Sequence, residues 1–271
     1  MPDLTLSLIL RSWSWDPLIL VTLGSIAAGY GYAFYYFGQQ GWLARLRQRG
    51  LVKRSHPIYF GAGLVTLYIA LLSPLDLLAN LLFSAHMTQH ILMMMVVPPL
   101  LLLGLPMPLV RWLIVEIRLR TVLNWLTYPL TAYALVTINF LIWHIPALYE
   151  AALRNQLIHD LEHALFFYTA LFYWWRVIDP TQGWFSLWPW PPAKWLYLII
   201  AAPPSYVLGS VLWGSSAIWY PYYTEVPRVW EITPLWDQRY AGMLMWLQGW
   251  MHFMASMIVF FKWYDPQQEQ A

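Results

Sequence analysis

The sequence predicts an all-α polytopic membrane protein with seven transmembrane helices, and three observations carry that expectation. Hydrophobic residues make up 60% of the 271 and charged residues only 10%, too few to cover a soluble surface, where roughly 25% is usual. Aromatics reach 18%, with 19 Trp and 18 Tyr, the surplus expected where rings anchor helices at lipid headgroups. Seven stretches approach the about 20 apolar residues that a bilayer crossing requires.

Span one, 17–37, follows Asp16 and holds no charge. Span two, 58–75, is equally free of charge and runs into Ser73-Pro74-Leu75. Span three, 83–103, is uncharged but carries His86 and His90, and Pro98-Pro99 predicts a kink or an end. Span four, 122–142, contains Pro129. Span five, 157–176, is the exception, with Asp160 and Glu162 beside His159 and His163 in its opening turns. Span six, 195–213, holds Pro203-Pro204, and span seven, 240–261, holds His252. Helix bundles tolerate such prolines where neighbours re-satisfy the freed backbone. No soluble domain, low-complexity tract or internal repeat interrupts the pattern, so residues 1–271 read as one domain.

Lys and Arg set the expected orientation. Arg45, Arg47, Arg49, Lys53, Arg54, Arg111, Arg118, Arg120, Arg176, Lys194 and Lys262 fall on one side, against Arg11, Arg154, Arg228 and Arg239 on the other. The basic side is expected to be cytoplasmic, placing the N-terminus outside and the C-terminus in the cytoplasm. Met1 to Asp16 has acid and Trp where a secretory signal has basic residues and an apolar run, so no cleaved leader is expected.

Composition also removes functions. With no Cys, thiolate metal sites, iron–sulfur clusters and a cysteine nucleophile are excluded. A net charge of +2 gives no reason to expect nucleic acid. No nucleophile–base pair or phosphate loop motivates an enzyme. A retinal-type receptor needs a Lys midway along span seven, where none stands.

The histidines concentrate at one level. By the expected topology His86, His90, His144, His159 and His163 all lie towards the outside, on the ends of three helices. His86/His90 and His159/His163 are i,i+4 pairs, which project from one helix face and can place two imidazoles on one metal. At 1.5 Å per residue His90 and His163 lie about 10 Å and about 9 Å into their spans, so their rings can meet, whereas His252 lies about 18 Å down span seven. Nine of the 11 Met fall on spans three and seven, which also carry His. Thioether with imidazole and no thiolate is a donor set suited to Cu(I).

The expected site is therefore a single metal between spans three, four and five. His86, His90, His159 and His163 are candidate ligands, with Met87, Met94 or His144 able to complete the set and His252 in a second, deeper role. Two or three His should ligate and the rest support them. The plainer readings stay open: Met as core gap-filler, interfacial His hydrogen-bonded to headgroups or water, and Asp160 and Glu162 complementing a helix dipole or accepting from a ligating His. His56, before Pro57, reads as a helix-start contact. The long outer connection 214–239, rich in Trp and Tyr, is expected to form a cap with Asp237 and Arg239.

Several blocks resemble the seven-helix CtaG family. They are Ser73-Pro74-Leu75-Asp76, Phe83-Ser84-Ala85-His86-Met87-Thr88-Gln89-His90, and Pro98-Pro99-Leu100-Leu101-Leu102-Leu103-Gly104-Leu105-Pro106. Trp143-His144-Ile145-Pro146-Ala147-Leu148-Tyr149, Leu161-Glu162-His163 and Asp237-Gln238-Arg239-Tyr240-Ala241-Gly242-Met243-Leu244-Met245-Trp246 agree. The resemblance covers roughly 55–262. It implies a non-catalytic role in assembling haem–copper cytochrome c oxidase, with oxidase subunits and membrane lipid as partners, in the cell's inner (plasma) membrane, supplying or installing copper. Two alternatives accompany it: a haem-binding electron-transfer subunit with axial His from different helices, and a metal-free structural subunit of a respiratory complex.

Overall fold

The computed structural model describes residues 6–181 and 192–264, and every regular element among them is helical. Residues 1–5, part of the segment expected to carry no leader, and the Lys262 side chain lie outside the described residues.

A short helix α1 (Leu6–Arg11) precedes α2 (Pro17–Gln39). The Asp16 carboxylate accepts from the Leu18 and Ile19 N–H groups and Pro17 occupies the first turn, a start that satisfies otherwise orphaned donors. After α3 (Trp42–Gln48), α4 (Ser55–Leu72) returns against α2. Tyr30 stacks on Phe60 at 3.9 Å between ring centroids, and its hydroxyl donates to the Gly104 carbonyl at 2.8 Å. A Cβ on Gly104 would lie 2.5 Å from the Phe60 nitrogen, so only glycine permits this crossing. His56 sits at the start of α4, its Nδ1 accepting from the Lys53 N–H at 3.0 Å.

Span two ends earlier than expected. Ser73 turns extended and caps a separate helix, α5 (Pro74–Leu81), with Pro74 at its first position. The next run is α6 (Phe83–Ile91), a π turn Leu92–Val96, and α7 (Val97–Leu103). Pro98 and Pro99 have no N–H for the Met94 and Met95 carbonyls, and the helix widens where those bonds are missing. The Met94 carbonyl accepts instead from the Trp174 indole at 2.9 Å.

Following α8 (Met107–Glu116), span four is broken rather than continuous: α9 (Arg120–Leu126) and α10 (Pro129–Trp143) meet at 62°. Tyr128, preceding Pro129, is pushed out of helical geometry. The Arg176 guanidinium donates to the Thr127 carbonyl and the Asn124 side chain at this break. Then come α11 (Pro146–Arg154), α12 (Gln156–Ile178), α13 (Pro192–Ile199), α14 (Pro203–Gly214), the single turn α15 (Tyr222–Glu225) and α16 (Pro234–Tyr264). Helix α16 begins six residues before span seven, so Asp237 and Arg239 belong to the helix and not to the loop before it.

Among the described residues, five helical segments are long and apolar enough to cross a membrane: Pro17–Gln39, Ser55–Leu72, Phe83–Leu103, Ala193–Gly214 and Pro234–Phe261. The bent α9–α10 pair makes a sixth if it is one span. The expected fifth span, α12, has 23 residues, but its Asp160, Glu162 and Arg176 keep it out of that apolar set. Phe166, Ala170, Tyr173 and Trp174 of α12 are buried in the main core with Met94, Met95 and Phe140. The face of α12 turned into protein buries Glu162 and Arg176, ionisable groups that lipid would not accept, while Asp160 stands exposed near the start of the helix.

Candidate metal centre

Helix α6 cannot cap itself, because Leu82 before it is extended and has no side-chain acceptor. Asp237 does so from α16. Its carboxylate accepts from the Phe83 N–H at 2.6 Å, the Ser84 N–H at 3.0 Å and the Ser84 hydroxyl at 2.5 Å. On another face Gln89, fully buried, donates to the Ala70 carbonyl at 2.8 Å and ties α6 to α4. Helix α12 is started by Asn155, whose side chain accepts from the Leu157 and Ile158 N–H groups. These contacts fix the height and rotation of both His-bearing helices.

The two i,i+4 pairs then meet in register. Ring centroids are 4.3 Å apart for His86–His90 and 4.0 Å for His159–His163. Across the helices they are 5.5 Å for His86–His159, 5.1 Å for His90–His163 and 6.0 Å for His86–His163. First faces first and second faces second, so α6 and α12 run parallel here. His86 is 0% exposed and His90 3%, both turned into the protein.

Two sets of donor atoms can each be gathered within 4.8 Å: His86, His159 and His163; and His86, His90 and Glu162. Glu162, 0% exposed, enters as a donor in its own right and not only as a helix-end charge. Sequence reasoning left it beside the site, although an acid within a span is itself a signal of a partner. Both nitrogens of His86 and His90, both oxygens of Glu162 and Nε2 of His163 are buried without a hydrogen-bond partner among the described residues. An unmet buried polar atom costs roughly 1–3 kcal/mol, more if charged. Several such lone pairs turned on one another, with a carboxylate among them, fit a bound cation.

The remaining candidates are placed differently. His144 belongs to neither donor set; its Nδ1 meets the Phe140 carbonyl at 2.6 Å. Met87 and Met94 are buried and line a small cavity with His90 and His144. His252 lies apart, its Nδ1 3.4 Å from the Tyr173 hydroxyl and its ring parallel to Trp174. The closely gathered carboxylate and imidazole donors thus come from α6 and α12, without a contribution from α10.

An aromatic lid closes the His86 end of the cluster. Tyr149 stands edge-on to His86 with centroids 5.2 Å apart, and its hydroxyl bonds that of Tyr223 at 3.0 Å. Tyr220 donates to the His144 carbonyl at 2.9 Å. Tyr149, Tyr220 and Tyr223 are almost fully buried against Phe83, and burial pushes the Tyr220 and Tyr223 hydroxyls well above the usual phenol range. On the surface, Arg154 joins Glu150 and Glu225, exposed pairs that contribute little. The connection before α16 is thus folded onto the bundle.

Comparison with known proteins adds the family. The profile described as cytochrome c oxidase caa3 assembly factor (Caa3_CtaG) matches residues 35–265. Uncharacterized proteins from Mycobacterium bovis and Mycobacterium tuberculosis are each 24% identical over 262 residues, covering 89% of this chain and 38% of theirs. The chain therefore spans well under half the length of these curated relatives. No solved structure matches.

Proposed function

Because this chain belongs to the cytochrome c oxidase caa3 assembly factor family, we propose that it binds copper at the His86–His90–His159–His163–Glu162 cluster and passes it to an oxidase subunit. The observation that carries this reading is the set of buried donors on His86, His90, His163 and Glu162 with no hydrogen-bond partner among the described residues. Imidazole suits copper, the added carboxylate favours Cu(II), and ionised Glu162 would offset the ion's charge in a site too dry to do so by hydration.

In this reading α12 is the seventh span, its buried face against the other helices, with the N-terminus outside and the C-terminus cytoplasmic. The cluster then lies near the outer face of the plasma membrane. Copper is cargo, and no bond-making chemistry is assigned to the protein. An ion is favoured over haem because the four imidazoles lie against one another, with Tyr149 beside His86 and Phe166 beside His90, leaving no flat slot for a porphyrin between them.

The test is the copper content of the oxidase in membranes where His90→Ala or His163→Ala replaces the wild-type protein. The expected result is an oxidase that retains haem but is deficient in copper. Full metallation with both variants would remove the delivery role.

A further inference from the structure

Beside the cluster, on the far side of His90, lies a second arrangement of different chemistry. Met87, Met94 and Met245 line one water-sized cavity together with His144, His90 and Gln248. The three thioethers come from α6, the π turn and α16 and are at most 4% exposed. The His144 tautomer follows from its neighbour. A carbonyl only accepts, so the 2.6 Å contact with Phe140 makes Nδ1 the proton donor. Nε2 is then left with a bare lone pair, buried and unpartnered among the described residues. A ring nitrogen donating to a backbone carbonyl while the other presents its lone pair is the arrangement of metal-ligating histidines.

We propose that His144, Met87, Met94 and Met245 form a second metal site, selective for a soft monovalent cation such as Cu(I), separate from the histidine–glutamate cluster and linked to it through His90. Packing alone accounts for methionines, but it does not call for a buried imidazole lone pair on a residue that lines the same cavity. The π turn gives a further reason. Such turns recur at functional sites, and this one carries Met94 with its carbonyl anchored to Trp174. Soft sulfur prefers Cu(I) to divalent ions, so the cluster and this site would differ in selectivity. Only the naming of copper rests on the function proposed above; the donors stand independently of it.

The test uses the purified full-length protein titrated with Cu(I) and, separately, Ag(I) against a competing chelator, with X-ray absorption reporting sulfur neighbours. Wild type should bind one sulfur-ligated equivalent. A Met87→Leu/Met94→Leu/Met245→Leu variant, close in volume, should lose that equivalent and its sulfur signal. His144→Phe should weaken it at least about tenfold. His86→Ala and Glu162→Gln should leave the sulfur signal in place, so failure of the cluster reading and failure of this one are distinguishable. Absence of sulfur ligation in wild type, as expected if the cavity holds only water, overturns the proposal, as does an undiminished sulfur signal in the triple variant.

Discussion

Glu162 concentrates the energetic problem of the site in one side chain. A carboxylate held at 0% exposure without a hydrogen-bond donor among the described residues is costly alone and favourable beside a cation. Glu162→Gln keeps the shape and removes the charge. It should raise the thermal midpoint of the metal-free protein while weakening copper binding at least about tenfold, about 1.4 kcal/mol. Melting curves with and without copper measure both effects, and an unchanged copper-induced shift would show that Glu162 is not a ligand. The His pairs were legible because i,i+4 spacing is local: any helix brings His86 to His90 and His159 to His163. The role of Glu162 was not, since a dipole-complementing acid and a buried donor have the same sequence and differ only in what packs over them. The His144 tautomer was equally hidden, because it depends on the Phe140 carbonyl and not on residue order.

Helices in this molecule are shaped by what replaces their missing hydrogen bonds. Trp174 holds the Met94 carbonyl that Pro98 leaves free, so Trp174→Phe should destabilise the protein by about 1–3 kcal/mol, measured by denaturant or thermal unfolding in detergent. A near-zero change would mean that water replaces the indole. Where α14 crosses α16, a Cβ on Gly209 would lie 2.6 Å from the Gly242 carbonyl oxygen, and one on Gly242 would lie 2.6 Å from that of Gly209. Gly242→Ala must force the helices apart and should lower stability by more than the roughly 0.5–3 kcal/mol of an ordinary substitution. The sequence announced prolines at several of the discontinuities but not their outcomes. Pro98-Pro99 yields a π turn inside a continuing run, Pro129 a 62° bend and Pro74 a new helix. A neighbour meets a carbonyl at all three places, Trp174 that of Met94, Arg176 that of Thr127 and Gln89 that of Ala70, and none of these partners adjoins its proline in the sequence.

At the scale of the whole molecule, the all-helical class and its apolar runs were legible from composition, because a chain with 10% charge has few alternatives to lipid. The exact spans were less so. Apolarity along a whole helix marks a span, whereas α12 divides its faces: Glu162 and Arg176 are buried on one, while Asp160 and Leu161 are exposed on another. The lid follows the same logic: Tyr220, Tyr223 and Val229 are buried although their segment reads as a loop. It should resist proteolysis in the isolated protein as well as with a cytochrome c oxidase added, with limited digestion as the check. Rapid cleavage between Ser215 and Thr233 in the isolated protein would show that the lid needs a partner to close.

The central claim is that the α6 and α12 histidines, with Glu162, hold an ion. Bound copper per chain in the purified full-length protein tests it most directly, comparing wild type with His90→Ala and His163→Ala after equal exposure to copper. The expected result is copper on the wild type and loss of the cluster-bound equivalent in both variants, with any sulfur-ligated Cu(I) scored separately by X-ray absorption. Unchanged cluster occupancy in both variants would contradict the claim and leave the histidine belt as a structural feature.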